Sequence, residues 1–203
     1  MRNWYFVGLD LGQKVDYSAI AVVERVDPLP VCLDYAGWLR GELRVESEFV
    51  VRHLERVGLG TSYVSVVRRV EEMARTPELR GRCTVVVDGT GVGRAVIDLL
   101  RESNMDCELV AVQITSGGQV RPSRGMWNVP KKDLIGVLQV LLERGRLLFA
   151  EGLPRMRTLV DELMAMQVRV TASGSEQFGA WRAGSHDDLA LAVALACWRG
   201  MKG

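Results

Sequence analysis

The sequence lacks the features that mark membrane, secreted and zinc-binding proteins. None of its apolar runs approaches the roughly 18 residues that a membrane-spanning helix needs. Its first residues lead into a strand-like segment, without the apolar region and cleavage site of a secretory signal peptide. The cysteines, Cys32, Cys83, Cys107 and Cys197, form no C-x-x-C pair. This spacing favours buried free thiols in a reducing compartment over structural zinc.

The sequence also lacks an excess of positive charge. It has 26 Lys and Arg residues against 25 Asp and Glu residues, for a net charge of +1. Nucleic-acid-binding domains often carry a clear basic excess. The total therefore does not favour tight non-specific DNA binding, although clustered carboxylates can conceal a basic groove. With only His53 and His186 in the chain, a histidine-rich zinc site is not supported.

What the sequence does contain is enough material for one folded domain. Its 203 residues are 48% hydrophobic and 25% charged, as in ordinary globular proteins. A chain of this length can bury a core without staples. No linker, repeat or low-complexity tract divides it, so we expect a single domain over residues 1–203.

The apolar patterns predict a mixed α/β fold. Residues 5–10 and 17–26 read as a hairpin, and 31–40 as a third extended stretch. A β-branched run at 84–88, a helix from 92 to 100 and a strand at 107–115 form a crossover unit, so the later strands should be parallel. Residues 47–57 fit a helix or a strand equally well.

The remaining chain predicts further helices around this sheet. Helices are expected over 61–75, from Pro130 to Gly145, after Pro154, and from Asp188 to Arg199 with Ser185 as its cap. Residues 146–150 suit a short strand, and 167–184 a polar hairpin or loop. Residues 116–129 are polar and glycine-containing, which predicts a mobile loop.

Four aspartates lie at positions that this fold would bring close together. Asp10 and Asp88 each end a buried strand and precede a glycine, the position at which open α/β sheets bind ligands. Asp187 and Asp188 follow His186 at the start of an apolar helix. Other readings exist for each motif: Asp10 suits a turn, and Ser185-x-x-Asp188 resembles a capping box.

Together the acids predict a metal site. Carboxylates converging on one point repel each other unless cations neutralise them, and hard oxygen ligands select Mg²⁺ or Mn²⁺. Two such ions about 4 Å apart can clamp a phosphodiester between them. The Gly-rich turn after Asp88 matches neither a phosphate-binding P-loop nor a dinucleotide fingerprint.

Three segments resemble one known family. The first is V-G-L-D-L-G at residues 7–12, followed by D-x-S-A-I from Asp16. The second is V-V-D-G-T-G-V-G-R around Asp88, and the third is S-H-D-D-L-A-L-A from Ser185. They are similar to the C-terminal nuclease domain of phage large terminase subunits, in the ribonuclease H-like superfamily. The resemblance spans Val7 to Trp198.

The resemblance implies a fold, a site and an activity. The fold is a ribonuclease H-like mixed sheet with an antiparallel opening meander, later parallel strands and flanking helices. The activity is metal-dependent cleavage of DNA during phage genome packaging, with two Mg²⁺ or Mn²⁺ ions. Asp10, Asp88 and Asp188 would be the catalytic acids, Asp187 a further metal ligand and His186 a support.

The resemblance also implies partners and a location. DNA is the expected substrate, with no membrane association, in the cytoplasm of a bacterial host and encoded by a phage or prophage. Large terminase subunits carry an ATPase motor, but no G-x-x-x-x-G-K-[ST] occurs here. The chain therefore does not translocate DNA alone. An excised domain, a stand-alone relative and a prophage remnant all fit this departure, and a separate ATPase motor or other packaging proteins are possible partners.

Basic and aromatic residues after position 120 suggest a DNA contact. Basic side chains pair with phosphates and an exposed Trp can stack on a base. The residues concerned are Arg121, Arg124, Trp127, Lys131 and Lys132. A solvated loop and an ordinary helix start account for the same pattern.

Three other readings compete with a terminase-like nuclease. A Holliday-junction resolvase would use the same chemistry on branched DNA. A catalytically silent module of the same fold would serve binding or assembly. A sugar-kinase or actin-like ATPase also begins with strand, acid and glycines, but it needs two related domains around a nucleotide cleft.

Overall fold

The computed structural model describes residues 4–12, 16–27, 46–91, 93–170, 176–180 and 186–202. Ten strands lie in these ranges: β1 Trp4–Asp10, β2 Ser18–Val26, β3 Glu48–Val57, β4 Cys83–Asp88, β5 Glu108–Thr115, β6 Arg121–Ser123, β7 Met126–Pro130, β8 Leu147–Phe149, β9 Met166–Val170 and β10 Glu176–Ala180. Five helices accompany them: α1 Tyr63–Ala74, α2 Gly93–Glu102, α3 Lys131–Glu143, α4 Met156–Ala165 and α5 Asp188–Gly200.

Eight strands form one sheet in the order β6-β7-β5-β4-β1-β2-β3-β8. The opening strands β1, β2 and β3 pair antiparallel, whereas β1, β4, β5 and β7 are joined by parallel pairings. This mixed order, with an antiparallel opening meander and later parallel strands, confirms the predicted fold class. Strands β9 and β10 form a separate antiparallel hairpin, as expected for part of 167–184.

The sheet is covered on both faces because its central strands are apolar on both sides. Every residue of β4 is buried, which is typical of a parallel strand between two helical layers. Helices α1 and α2 cover one face, where their apolar residues pack on Val7, Leu9 and Val85. Helices α3, α4 and α5 cover the other, around Phe6 and Val86.

Helix α5 is the central helix of the second layer, and Gly8 lets it approach β1 closely. Twelve of its residues are buried, as its apolar composition predicts. A Cβ on Gly8 would lie 1.8 Å from the Ala192 carbonyl oxygen, a distance no side chain can adopt. The absence of a side chain at position 8 therefore sets how near the start of α5 lies to the end of β1.

The prediction of a mobile loop at 116–129 was wrong. The segment contains the hairpin of β6 and β7, which extends the sheet beyond β5. Arg124 and Gly125 form its two-residue turn, both with positive φ, at 48° and 79°. Two-residue hairpin turns favour positive φ, but Arg-Gly is a weaker signal than Asn-Gly.

The ambiguous stretch at 47–57 is the strand β3. The expected strand at 31–40 and the expected cap Ser185 lie outside the described residues, and the N-cap position of α5 is Asp187. Among the described cysteines, Cys83 and Cys197 are buried and Cys107 is partly exposed, all as free thiols. No helix in the described ranges is long and apolar enough to cross a membrane.

Candidate active site

The predicted acids meet at one edge of the sheet. Strands β1 and β4 are parallel neighbours, so Asp10 and Asp88 end them at the same edge. Helix α5 begins there with Asp187 and Asp188. All four acids line a cleft of about 290 Å³, whose other walls are Leu11, Gly12, Asp16, Tyr17, Thr90 and His186.

Strand register explains why Asp10 points towards α5. Asp10 lies opposite Ala19 on β2, and Ala19 lies opposite Arg56 on β3. Residues directly opposite each other share a face of the sheet, and the buried Ala19 packs in the core beneath α5. Since Ala19 is small, it leaves room for the Arg56 side chain to reach the start of the helix.

Asp10 lies in the strongest negative field of the cleft. Burial raises the pKa of Asp10 well above its usual value, and the charges of Asp88, Asp187 and Asp188 raise it further, while Lys131 lowers it. Asp10 therefore experiences the charges of the other three acids. A bound cation would relieve this repulsion.

Asp88 is held by the turn that follows it. Its Oδ1 accepts the backbone N–H of Thr90 at 2.8 Å, and the Thr90 hydroxyl accepts the backbone N–H of Ile114 at 2.8 Å. Burial raises the pKa of Asp88, whereas hydrogen bonds from Thr90 and from the Ile114 backbone and the charge of Lys131 lower it. The turn therefore holds the Asp88 carboxylate at the end of β4.

Asp187 does not act as a helix cap. It occupies the N-cap position without a side-chain capping bond, and its Oδ2 instead accepts the Lys131 ammonium at 2.6 Å. Lys131, the first residue of α3, also acts electrostatically on Asp10 and Asp88. Its charge therefore lies among the carboxylates.

Asp188 is bound by an arginine that the sequence did not single out. Arg56 donates to both Asp188 oxygens, from Nε to Oδ2 at 2.7 Å and from Nη2 to Oδ1 at 2.9 Å. The same Nη2 donates to Glu162 at 2.5 Å. Arg56 came from a stretch that fitted two structures, and Glu162 from an amphipathic helix, so neither carried a signal in the sequence.

Glu162 supplies the capping bond that Asp187 does not. Its Oε2 accepts the backbone N–H of Ala190 in the first turn of α5 at 2.8 Å. Burial raises the pKa of Glu162 to about 7, although its bond to Ala190 and the Arg56 charge lower it. The start of α5 is therefore held by a side chain from α4 as well as by one from β3.

The donor chemistry of the cleft fits a hard divalent cation. Its acidic oxygens come from three elements and face one another, and carboxylates of this kind suit Mg²⁺ or Mn²⁺. Within the described ranges, no three His, Cys, Asp or Glu side chains lie as close together as metal ligands do. A cation held by these acids would require their side chains to approach one another more closely.

His186 stands at the mouth of the cleft beside the β1–β2 connection. Its Nδ1 is 3.9 Å from an Asp16 oxygen, and its ring meets Tyr17 edge to face at 5.4 Å between centroids. Tyr17 in turn covers the Arg56 guanidinium, 4.7 Å from the ring centre. His186 thus packs next to the acids and contacts an exposed acid of the rim.

The expected DNA-contacting residues separate into two groups. Lys131 lies at the acids and Lys132 is exposed next to it. Arg121 and Arg124 are exposed on the β6–β7 hairpin.

Trp127 lies away from the acids. Its ring packs edge to face on Trp198 at 6.5 Å between centroids, and Lys202 lies 6.0 Å from it. Trp198 comes ten residues after Asp188, which is about 15 Å along a helix. Trp127 therefore does not belong to the cleft.

Comparison with known proteins finds similarity to large terminase subunits and their nuclease domains. No family profile matches the chain. The large terminase subunit of Thermus virus P23-45 is 27% identical over 192 residues, which cover 95% of this chain and 31% of that protein. The magnesium-bound large terminase nuclease of thermophilic phage G20c has a TM-score of 0.63 and 27% identity, over 96% of this chain and 80% of that one.

The chain is similar to large-terminase nuclease domains. The cobalt-bound form of the G20c nuclease gives the same TM-score, 0.63. The ribonuclease H-like fold expected from the sequence is therefore confirmed. The chain spans less than a third of the curated relative's length, 31%, so that protein's other regions have no counterpart in the alignment.

Proposed function

We propose that this chain is a divalent-metal-dependent endonuclease that hydrolyses DNA phosphodiester bonds with two bound ions. The observation that carries the proposal is the convergence of Asp10, Asp88, Asp187 and Asp188, from two strand ends and one helix start, on a single cleft. Nothing else among the described residues gathers so many carboxylates around one another at the carboxyl edge of the sheet.

The charge of the cleft supports cation binding. Its lining includes the acids Asp10, Asp16, Asp88, Asp187 and Asp188. Arg56 pairs with Asp188 and Lys131 pairs with Asp187. The acids therefore outnumber these paired cations, and the excess negative charge favours divalent ions.

The four acids would hold the ions. Asp10 lies in the field of the other three, and Asp88 is held by the turn that follows it. Asp188 is held by Arg56, and Asp187 pairs with Lys131. When bound, the ions supply an activated water and stabilise the leaving oxygen.

The similar proteins support this function. The solved G20c nuclease is described with magnesium in one structure and cobalt in another, and its 27% identity covers 96% of this chain. By extension we propose that this chain acts on DNA during phage genome packaging. A motor, other packaging proteins or the rest of a longer chain would deliver the DNA.

Cleavage of supercoiled plasmid in Mn²⁺, Mg²⁺ or EDTA tests the proposal. Wild type is compared with Asp10→Asn and Asp88→Asn, and with Asp98→Asn as a matched control. Asp98 is an exposed acid on α2 that pairs with Arg101, away from the cleft. We expect metal-dependent nicking by wild type and by Asp98→Asn, and none by the other two.

Absence of metal-dependent nicking by wild type would favour a catalytically silent binding module. Arg56 and Lys131 already pair with Asp188 and Asp187, an arrangement that also suits a purely structural site. Absence of nicking, together with no Mn²⁺ binding at millimolar concentration, would support that reading. Nicking retained in Asp10→Asn would remove the cleft from the reaction.

A further inference from the structure

We propose that Arg56, held by Glu162, is a positioning residue that sets the Asp188 carboxylate for metal binding. The inference rests on the proposed function and adds two residues to its site. Neither side chain lines the cleft itself. Both act through the start of α5.

The Arg56 fork fixes the plane of the Asp188 carboxylate. Two bonds, at 2.7 and 2.9 Å, join the guanidinium to both oxygens, which is the bidentate geometry that arginine alone provides. A carboxylate has about four acceptor sites. The fork uses one on each oxygen, so Asp188 retains acceptor sites for a cation while its rotation is blocked.

Arg56 is itself immobilised on its remaining sides. Glu162 accepts from Nη2 at 2.5 Å, and the Tyr17 ring lies 4.7 Å from the guanidinium carbon. The side chains of Arg56, Glu162 and Asp188 are only 14%, 5% and 6% exposed. A buried network of this kind rigidifies its members when all are hydrogen-bonded.

Glu162 ties the same network to the helix backbone. Its second oxygen accepts the N–H of Ala190 at 2.8 Å, two residues after Asp188. The first turn of α5 is therefore fixed through its backbone by Glu162 and through its side chain by Arg56. Because β3, α4 and α5 each supply one member, the position of Asp188 depends on three separate elements.

Mn²⁺ binding distinguishes positioning from simple electrostatics. Removing a positive charge beside a cation site strengthens cation binding if charge alone matters. If Arg56 acts by positioning, Arg56→Gln weakens Mn²⁺ binding, by about 10- to 100-fold for a residue that orients a ligand. The two explanations thus predict changes of opposite sign.

Arg56→Lys provides the second comparison. Lysine keeps the charge but cannot make the fork. Positioning predicts that Arg56→Lys also binds Mn²⁺ more weakly than wild type, whereas a charge effect predicts wild-type binding. This variant leaves the buried acids with a cation and so guards against loss of the fold in Arg56→Gln.

The experiment measures Mn²⁺ affinity by calorimetry and by the electron paramagnetic resonance of free Mn²⁺, without DNA. Arg52→Gln is the matched control, since Arg52 lies on the same strand and pairs with buried Glu24 at 2.6 Å in a groove away from the acids. We expect Arg52→Gln to lower the melting temperature without changing Mn²⁺ affinity.

Outcomes separate this inference from the proposed function. If wild type fails to bind Mn²⁺, the proposed function fails. If wild type binds it and both Arg56 variants bind as tightly or more tightly, only the positioning role is overturned. Weaker binding by both variants, with the Arg52 control unchanged, establishes it.

Discussion

Replacing the central acid should make the metal-free protein more stable. Burial raises the pKa of Asp10 well above its usual value, and the charges of Asp88, Asp187 and Asp188 raise it further, so the folded metal-free protein disfavours the ionised form. Asp10→Asn removes that charge and keeps nearly the same volume. In EDTA at pH 7.5, we therefore expect the variant to melt at a higher temperature than wild type.

The sign and the magnitude follow from linkage. A carboxyl whose pKa is higher in the folded state adds stability at pH values below about 4, and this contribution is lost as pH rises through the folded pKa. Each unit of the shift is worth about 1.4 kcal/mol. For a protein of this size that corresponds to roughly 3–6 °C in melting temperature.

Mn²⁺ should reverse the order of the melting temperatures of wild type and Asp10→Asn. Saturating Mn²⁺, at about 100 times its Kd, stabilises wild type by about 2.7 kcal/mol, or roughly 5–11 °C. Asp10→Asn lacks one of the proposed ligands and should gain less. Asp98→Asn, which alters an exposed pair, should follow wild type in both conditions.

The assay is differential scanning calorimetry of the three proteins in EDTA and in Mn²⁺, repeated in EDTA at pH 4. The advantage of Asp10→Asn in EDTA should shrink towards pH 4, because lower pH favours the uncharged form of wild-type Asp10, whose pKa is raised. A variant that melts below wild type in EDTA at pH 7.5 would refute the reasoning, since it would show that Asp10 contributes more through its bonds than it loses through repulsion.

Three further predictions concern packing, pH and DNA. Gly8→Ala should lower the melting temperature, because overpacking against Ala192 costs about 1–3 kcal/mol or more, which calorimetry would detect; an unchanged value would contradict the 1.8 Å contact. Glu162→Gln removes a carboxyl with a pKa of about 7. In urea titrations in EDTA, the free energy of unfolding of wild type relative to the variant should therefore fall between pH 4.5 and 7. A constant difference would argue against burial as the cause of the raised pKa. Lys132→Ala should reduce the salt slope of DNA binding by about one, whereas Lys131→Ala should change it little because its charge is already paired with a carboxylate; equal slopes for both variants would oppose this distinction.

The two strand-end acids were predictable because their signals are local. A buried apolar run that ends at Asp10 or Asp88, with a glycine one or two residues later, marks the end of a strand at an open sheet edge. The apolar composition of α5 predicted its burial in the same way. Each inference needed only a few neighbouring residues.

The partners of those acids were not predictable because they are distant in sequence. Arg56 and Glu162 are 106 residues apart, and Arg56 and Asp188 are 132 apart. Nothing near Glu162 distinguishes it from a surface glutamate on a helix. Its burial follows only from how α4 lies beside α5.

The hairpin at 121–130 was missed for a different reason. Its turn uses Arg124 and Gly125, and arginine seldom adopts the positive φ of 48° found here. Polar, glycine-containing composition then suggested a loop. The sheet accepts these residues because β5 offers an edge to which β7 pairs in parallel.

The paired cations Arg56 and Lys131 have a consequence for how the protein is made. They act as resident counterions, so part of the acidic charge is compensated before any ion enters. A zinc finger, in contrast, is unfolded without its metal. In this chain the paired cations would let the fold form before any ion binds, so we expect a chelator to leave the fold in place.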